Sequence, residues 1–243
     1  MIQWLLPWTL AMPSQSVASQ EKSTGSPGLL EILSHREAWG TSLGMFALGY
    51  VWYFLLSWLP TYLINERSFS QNAMAIFGSL PFWGMAFTSI AGGWLSDLWI
   101  RHGGSPTLVR KTFLATGLLL CAALMVPAVL VTNASASLVF LIASSLSLGI
   151  FTSNVWAVTQ TLAGPTAAGK WAGIQNCVGN LGGVLSPALT GIIVDQTRSF
   201  SLAFAAASIV LVLGVFAYLL LIPKVAPLSW ISPADRQLAA RLG

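Results

Sequence analysis

The chain has 243 residues, 55% of them hydrophobic and only 7% charged, with a net charge of +4 and a mean hydropathy of +0.74. A soluble domain usually carries about 25% charged residues, so this composition rules out most water-soluble answers. Nucleic-acid binding needs a dense basic face, and the eleven Lys and Arg are too scattered to make one.

The opening stretch "MIQWLLPWTLAMP" is apolar but short. It lacks a basic leader and a small-residue cleavage site, so it reads as the end of a membrane helix (1–13) rather than a signal peptide. The polar, Ser- and Gly-rich stretch 14–28 is expected to be a flexible linker. "LLEILSHREAW" (29–39) is expected to form a short amphipathic helix, so 14–38 as a whole forms a cytoplasmic lead-in.

Six segments follow that can cross a hydrocarbon core, which takes about 20 residues each. They lie near 39–62, 72–97, 112–132, 137–162, 171–194 and 200–222. No charge falls between Lys111 and Lys170. That run is too long for one helix and divides at the polar turn "VTNASAS" (131–137). Helices are the expected form, because lipid offers no partner to an open backbone group. The result is an all-α transmembrane six-helix bundle over 39–223 with a tail at 224–243. Nine cations (Lys22, Arg36, Arg101, Arg110, Lys111, Lys170, Lys224, Arg236, Arg241) would share one side and only Arg67 and Arg198 the other. The positive-inside rule then puts both termini in the cytoplasm. The eleven Trp and twelve Phe suit interfacial aromatic belts.

One crowded charged stretch interrupts the apolar runs. In "GGWLSDLWIRHGGSPTLVRK" (92–111), Gly93, Asp97 and Arg101 follow a G-x3-D-x3-R spacing, and Arg110 and Lys111 close the loop. This resembles the cytoplasmic gating motif of major facilitator superfamily transporters. "WGTSLGMFALGYVWYFLLSWLPTYL" (39–63) with the following "ERSFS", and "GIQNCVGNLGGVLSPALTGIIVD" (173–195), resemble helices 7 and 11 of its anion:cation symporter branch. "WLLPWTLAMP" (4–13) resembles the end of helix 6. Members of that branch carry hexuronates, aldonates, tartrate and similar organic anions, usually with protons.

The resemblance implies the carboxyl-terminal half of a twelve-helix fold, built from two inverted three-helix repeats. It implies secondary transport of a small organic anion such as a sugar acid, coupled to H+, in a bacterial inner membrane. It also implies a partner: the amino-terminal six-helix half, which would supply the cation and the titratable carboxylate that the spans here lack. By itself, this chain is expected not to carry out coupled uptake. Two other readings stand beside this one: a half-transporter acting as a homo- or hetero-oligomer, and a non-functional truncated fragment.

Polar residues inside spans need a packing partner or a ligand. The first span offers Tyr50, Tyr53 and Ser57 on roughly one face, with Trp52 nearby. The fourth offers Ser153, Asn154, Trp156 and Gln160, and the fifth offers Gln175, Asn176 and Asn180. The expected substrate-binding set is Tyr50, Tyr53, Ser153, Trp156, Gln160 and Asn176. Ser153, Trp156 and Asn176 match positions that contact sugar acids in the branch. An amide and hydroxyls can read a polyol, and an indole can stack on a sugar face. Trp52 suits the headgroup belt and Asn180 helix packing. Gly182, Gly183, Pro187 and Gly191 are expected to permit close helix approach and a kink. No cofactor or metal is expected: His35 and His102 fall in segments expected to be cytoplasmic, and Cys121 and Cys177 sit in apolar runs without ligand spacing. No phosphate-binding Gly loop is present, and no catalytic constellation is visible.

Overall fold

Five helices among the described residues are long and apolar enough to cross a membrane. The computed structural model describes residues 26–230, so the expectations for 1–13, most of the linker and the far tail lie outside the described residues. The architecture below belongs to one unit, Gly28–Leu228. In chain order it contains α1 (Leu29–Ser34), α2 (Arg36–Thr61) with a π-helical turn (Tyr62–Glu66), α3 (Gln71–Phe77), α4 (Leu80–Arg101), α5 (Pro106–Leu130), α6 (Ala134–Thr197) and α7 (Ser201–Leu221).

The helix starts are written locally. Ser70, Ser105 and Asn133 each accept a hydrogen bond from the backbone N–H three residues on, at 3.2, 3.2 and 2.9 Å. Each satisfies a donor that the first helical turn leaves open. Pro106 follows Ser105 at a position where a missing N–H costs nothing. Two boundaries differ from expectation. The amphipathic stretch is not one helix, because His35 takes an extended conformation (φ −86°, ψ 127°), ending α1 and letting α2 begin at Arg36. The third span starts at Pro106 instead of 112, since the Ser-Pro cap carries Arg110 and Lys111 within the helix.

α6 has 64 residues. A straight helix of that length would run about 96 Å, three times the roughly 30 Å hydrocarbon core. It bends at Gly164, whose φ of 64° and ψ of 179° no helix contains. A side chain there would be strained, which is why glycine holds the position. The two arms fold back on each other. Thr159 donates to the Gln175 side-chain oxygen at 2.6 Å, although sixteen residues of straight helix would separate them by about 24 Å. The arms (134–163 and 165–197) correspond to the fourth and fifth expected spans, and the second begins six residues earlier than expected. Helical angles persist through Pro187.

Lipid does not drive apolar helices together as water does, so association here rests on close packing and interhelical hydrogen bonds. Both are present. Trp171, wholly buried, donates to the Thr41 hydroxyl at 2.9 Å, joining the second arm of α6 to α2. Phe54 and Phe204 meet edge-to-face at 4.9 Å, and Tyr62 packs on Phe204 and Phe200 at 5.0 and 5.5 Å. At the same end, Arg67 donates to the Tyr62 hydroxyl (2.7 Å) and to the carbonyls of Ala128 and Val129 (3.1 and 2.9 Å). It thereby satisfies open carbonyls at the end of α5. α4 lies at the periphery. Trp83, Phe87, Ile90 and Trp94 form an exposed stripe along it at helical spacing, an apolar face suited to hydrocarbon.

Candidate functional site

Close backbone approach creates the site. The second arm of α6 crosses α2 where Gly49 meets Gly179, and a Cβ on Gly49 would run into the Gly179 carbonyl. Nearby, a Cβ on Gly182 would stand 2.5 Å from the Phe46 carbonyl. Beside this crossing, the side chains of α2 and of the second arm of α6, with Met85 of α4, form a concave surface. They leave a cavity of about 270 Å³ lined by Met45, Leu48, Gly49, Trp52, Tyr53, Met85, Asn176, Gly179 and Asn180.

Its walls are mostly apolar, with polarity confined to a few groups. The Tyr53 hydroxyl donates to the Asn180 side-chain oxygen at 3.3 Å, and the Asn180 amide N–H donates to the Asn176 carbonyl at 2.8 Å. The Asn180 side chain is therefore engaged at both ends. The exposed Asn176 side chain makes no hydrogen bond among the described residues, so its two N–H donors and its oxygen remain available to a ligand. Trp52, held edge-on to Phe82 at 5.3 Å, adds an aromatic wall.

Of the expected substrate set, Tyr53 and Asn176 come together in this cavity. Tyr50 does not line it: only 3% exposed, it turns into the bundle with Thr190 beside it. Tyr50 and Tyr53 stand only about 60° apart around the helix, so what packs over each of them, and not their own spacing, buries one and leaves the other at the cavity. Trp156 and Gln160 are exposed on the first arm of α6 and do not line the cavity. Ser153 does not line it either, and belongs to a second polar cluster. Sequence reasoning set Trp52 and Asn180 aside for the headgroup belt and for packing. Both line the cavity. The i, i+4 spacing of Asn180 from Asn176 was the available signal; Trp52, adjacent to Tyr53 and so turned about 100° from it, gave none.

The second cluster is built on the 92–111 stretch. Arg110 donates to Asp97 at 2.8 Å, to the Asn154 side-chain oxygen at 2.6 Å and to the Ser96 hydroxyl at 3.2 Å. The Asn154 amide donates in turn to Ser153 at 2.7 Å. Ser96 and Asn154 are fully buried, whereas the Asp97 side chain is half exposed. The cluster therefore ties α4, α5 and the first arm of α6 together at one end of the bundle. Lys111 donates to the Leu219 carbonyl at 3.1 Å and closes the end of α7. Arg101 is exposed and unpaired among the described residues. The close approach of α4 to the first arm of α6 falls at Gly92, one residue before the Gly93 of the motif. A Cβ on Gly92 would stand 2.9 Å from the Ser153 hydroxyl, while Gly93 has room for one.

The described residues contain no group of three potential metal ligands, and both cysteines are free thiols, Cys121 buried and Cys177 exposed.

Comparison with known proteins places these features in a family. The Major Facilitator Superfamily model matches residues 2–187 and 41–242. The hexuronate transporter of Bacillus subtilis (strain 168) is 33% identical over 214 residues, 85% of this chain and 50% of the relative. The D-galactonate transporter of Escherichia coli O6:H1 is 30% identical over 195 residues, 80% of this chain and 45% of the relative. The chain thus spans about half the length of the curated relatives it matches. A crystal structure of the peptide transporter POT with sulfate superposes with a TM-score of 0.67 at 20% identity, covering 96% of this chain and 47% of that one. That likeness concerns the fold. The chain is an integral membrane protein that belongs to the Major Facilitator Superfamily, a family of transporters and not of enzymes.

Proposed function

We propose that the chain forms one side of a secondary transporter for small organic anions of the sugar-acid type, with the Tyr53–Asn176–Asn180 cavity as its wall of the substrate path. The observation that carries this reading is the free Asn176 amide in an otherwise apolar cavity. A site of this kind uses a few placed polar groups to orient a ligand against apolar walls. The relatives named for hexuronate and D-galactonate transport point to the same ligand class. Ser153 and Trp156, on the first arm of α6 and outside this cavity, are further contacts along the path on the strength of the resemblance alone.

The cavity has no cation to meet a carboxylate, and none of the helices carries a carboxylate at mid-depth. The counter-charge and the proton carrier therefore belong to a second six-helix half facing this one. Loop charge puts the Asp97–Arg110 end, and both termini, on the cytoplasmic side. There the pair serves as a latch between helices that move during the transport cycle.

In the purified chain in lipid nanodiscs, Asn176→Ala should weaken D-galacturonate binding about five- to tenfold, the effect of losing one or two hydrogen bonds. Titration calorimetry reads this directly. Absence of binding by the unmodified chain, or equal affinity in the variant, would refute the assignment.

A further inference from the structure

A second concavity shares no residue with the Tyr53 cavity. It is a groove of about 510 Å³ between the first half of α5 and the end of α7. Ser105, Thr107, Lys111 and Thr112 line it within the first two turns of α5. Ala115 and Leu119 continue the wall, Leu119 lying about 12 Å along the helix from Lys111. Leu219 of α7 flanks them. Leu119 and Leu219 are exposed, so the deeper part of the groove opens toward hydrocarbon.

The polar part is a set of donors. Lys111 Nζ gives one N–H to the Leu219 carbonyl at 3.1 Å, and two remain open. Ser105 and Thr107 accept from the backbone N–H groups of Leu108 (3.2 Å) and Val225 (3.0 Å), so each hydroxyl keeps its own hydrogen. The Thr112 hydroxyl makes no hydrogen bond among the described residues; only its carbonyl is engaged, by Thr116 at 2.6 Å. The Val225–Thr107 bond also brings in the exposed Lys224, one residue before Val225 and so about 3.8 Å from it along the chain. No carboxylate lines the groove, and neither lysine forms an ion pair among the described residues. Donors without acceptors suit an anion with several oxygens. The apolar remainder suits a hydrocarbon chain attached to it.

We propose that this groove holds one anionic phospholipid. Its phosphodiester takes hydrogen bonds from Lys111, Thr112 and the Ser105 and Thr107 hydroxyls, with Lys224 at the mouth, and an acyl chain lies along Ala115, Leu119 and Leu219. Basic pockets between membrane helices bind anionic headgroups on this principle. A zwitterionic lipid would bring its own ammonium up to two lysines, so the site selects against it. Nothing here depends on which substrate the other cavity takes.

The full chain, purified in detergent and freed of phospholipid, is titrated with phosphatidylglycerol or phosphatidylcholine of identical acyl chains, and bound lipid is counted by native mass spectrometry. One phosphatidylglycerol should bind about twentyfold more tightly than phosphatidylcholine, with about fivefold from each lysine. Lys111→Gln can still donate to the Leu219 carbonyl, and it should lower the preference about fivefold, as should Lys224→Gln. Arg198→Gln, beyond the far end of the second arm of α6, should leave the preference within about twofold. Equal affinity of the unmodified chain for the two lipids would overturn the proposal. So would a preference that survives both lysine changes, or one that falls as far in Arg198→Gln, which would make it an effect of overall charge. Excess inorganic phosphate should not displace the lipid; complete displacement would make this an ion site and refute the lipid assignment. Should Lys111→Gln not assemble, Lys224→Gln decides, and an unchanged preference refutes the site.

Discussion

Gly49→Ala is expected to destabilise the bundle by at least about 3 kcal/mol, at the upper end of what overpacking costs. The added methyl would meet the Gly179 carbonyl, which is backbone and cannot swing aside as a side chain could. The helices must part along the crossing that also holds Gly182 against Phe46 and forms the cavity wall. Interhelical packing is the main attraction available in lipid, so the loss is not recovered elsewhere. For a bundle of about 200 residues this corresponds to a fall of roughly 6–12 °C in melting temperature, readable by thermal unfolding in detergent. Gly173→Ala is the control. Gly173 is exposed and nothing lies within 4 Å of its added Cβ, so the change should stay within about 0.5 kcal/mol. Equal melting of Gly49→Ala and the unmodified chain would mean that the two helices do not cross at this point.

Arg110→Ala should cost a comparable amount, about 3 kcal/mol, for a different reason. The loss strands the Asn154 oxygen, which is fully buried, and removes one of two partners of the Ser96 hydroxyl, which still donates to the Gly93 carbonyl at 2.9 Å. An unsatisfied buried polar atom costs about 1–3 kcal/mol, and hydrogen bonds to a charged group are worth about 1.5–3. The Asp97 contact contributes much less, because that carboxylate is half exposed and solvent screens it. Asp97→Asn should therefore cost no more than about 1 kcal/mol, and Arg110→Lys should recover little, since an ammonium lacks the planar fork that reaches three partners. Unfolding of the three variants side by side checks the ordering. If Asp97→Asn proves as damaging as Arg110→Ala, the exposed ion pair and not the buried amide holds this end together.

Much of the architecture was legible from residue order. Span positions follow from long apolar runs between polar turns, and Ser70, Ser105 and Asn133 announce their helix starts through local hydrogen bonds that need no distant partner. The charged stretch put Asp97 near three cations, but only the structure chose Arg110 over Arg101 and Lys111 as its partner. The bend was harder to place. "LAGPTAAGKW" suggests a break between spans, but only the backbone angles locate it at Gly164, so the following arm begins earlier than the charge of Lys170 implied. Asn154 stayed outside the expected substrate set because its neighbour Ser153 carried the resemblance to sugar-acid contacts. An asparagine among apolar residues gives no sign of which helix will present the arginine it meets.

Composition and the period of the apolar runs determined by themselves that this is a helical membrane protein, because a chain with so few charges must match its backbone to lipid and only one regular form does so within a single segment. The stretches 39–63, 92–111 and 173–195 resembled the family to which the comparisons then assigned the chain. Tertiary structure decided which polar residues share a site. Tyr50 and Tyr53 differ by less than one helical turn, yet one is packed against Thr190 and the other opens on the cavity with Asn176. Spacing along a helix gives the direction of a side chain relative to its neighbours in sequence. What occupies that direction depends on where another helix crosses, and here the crossing is set by glycines 130 residues apart.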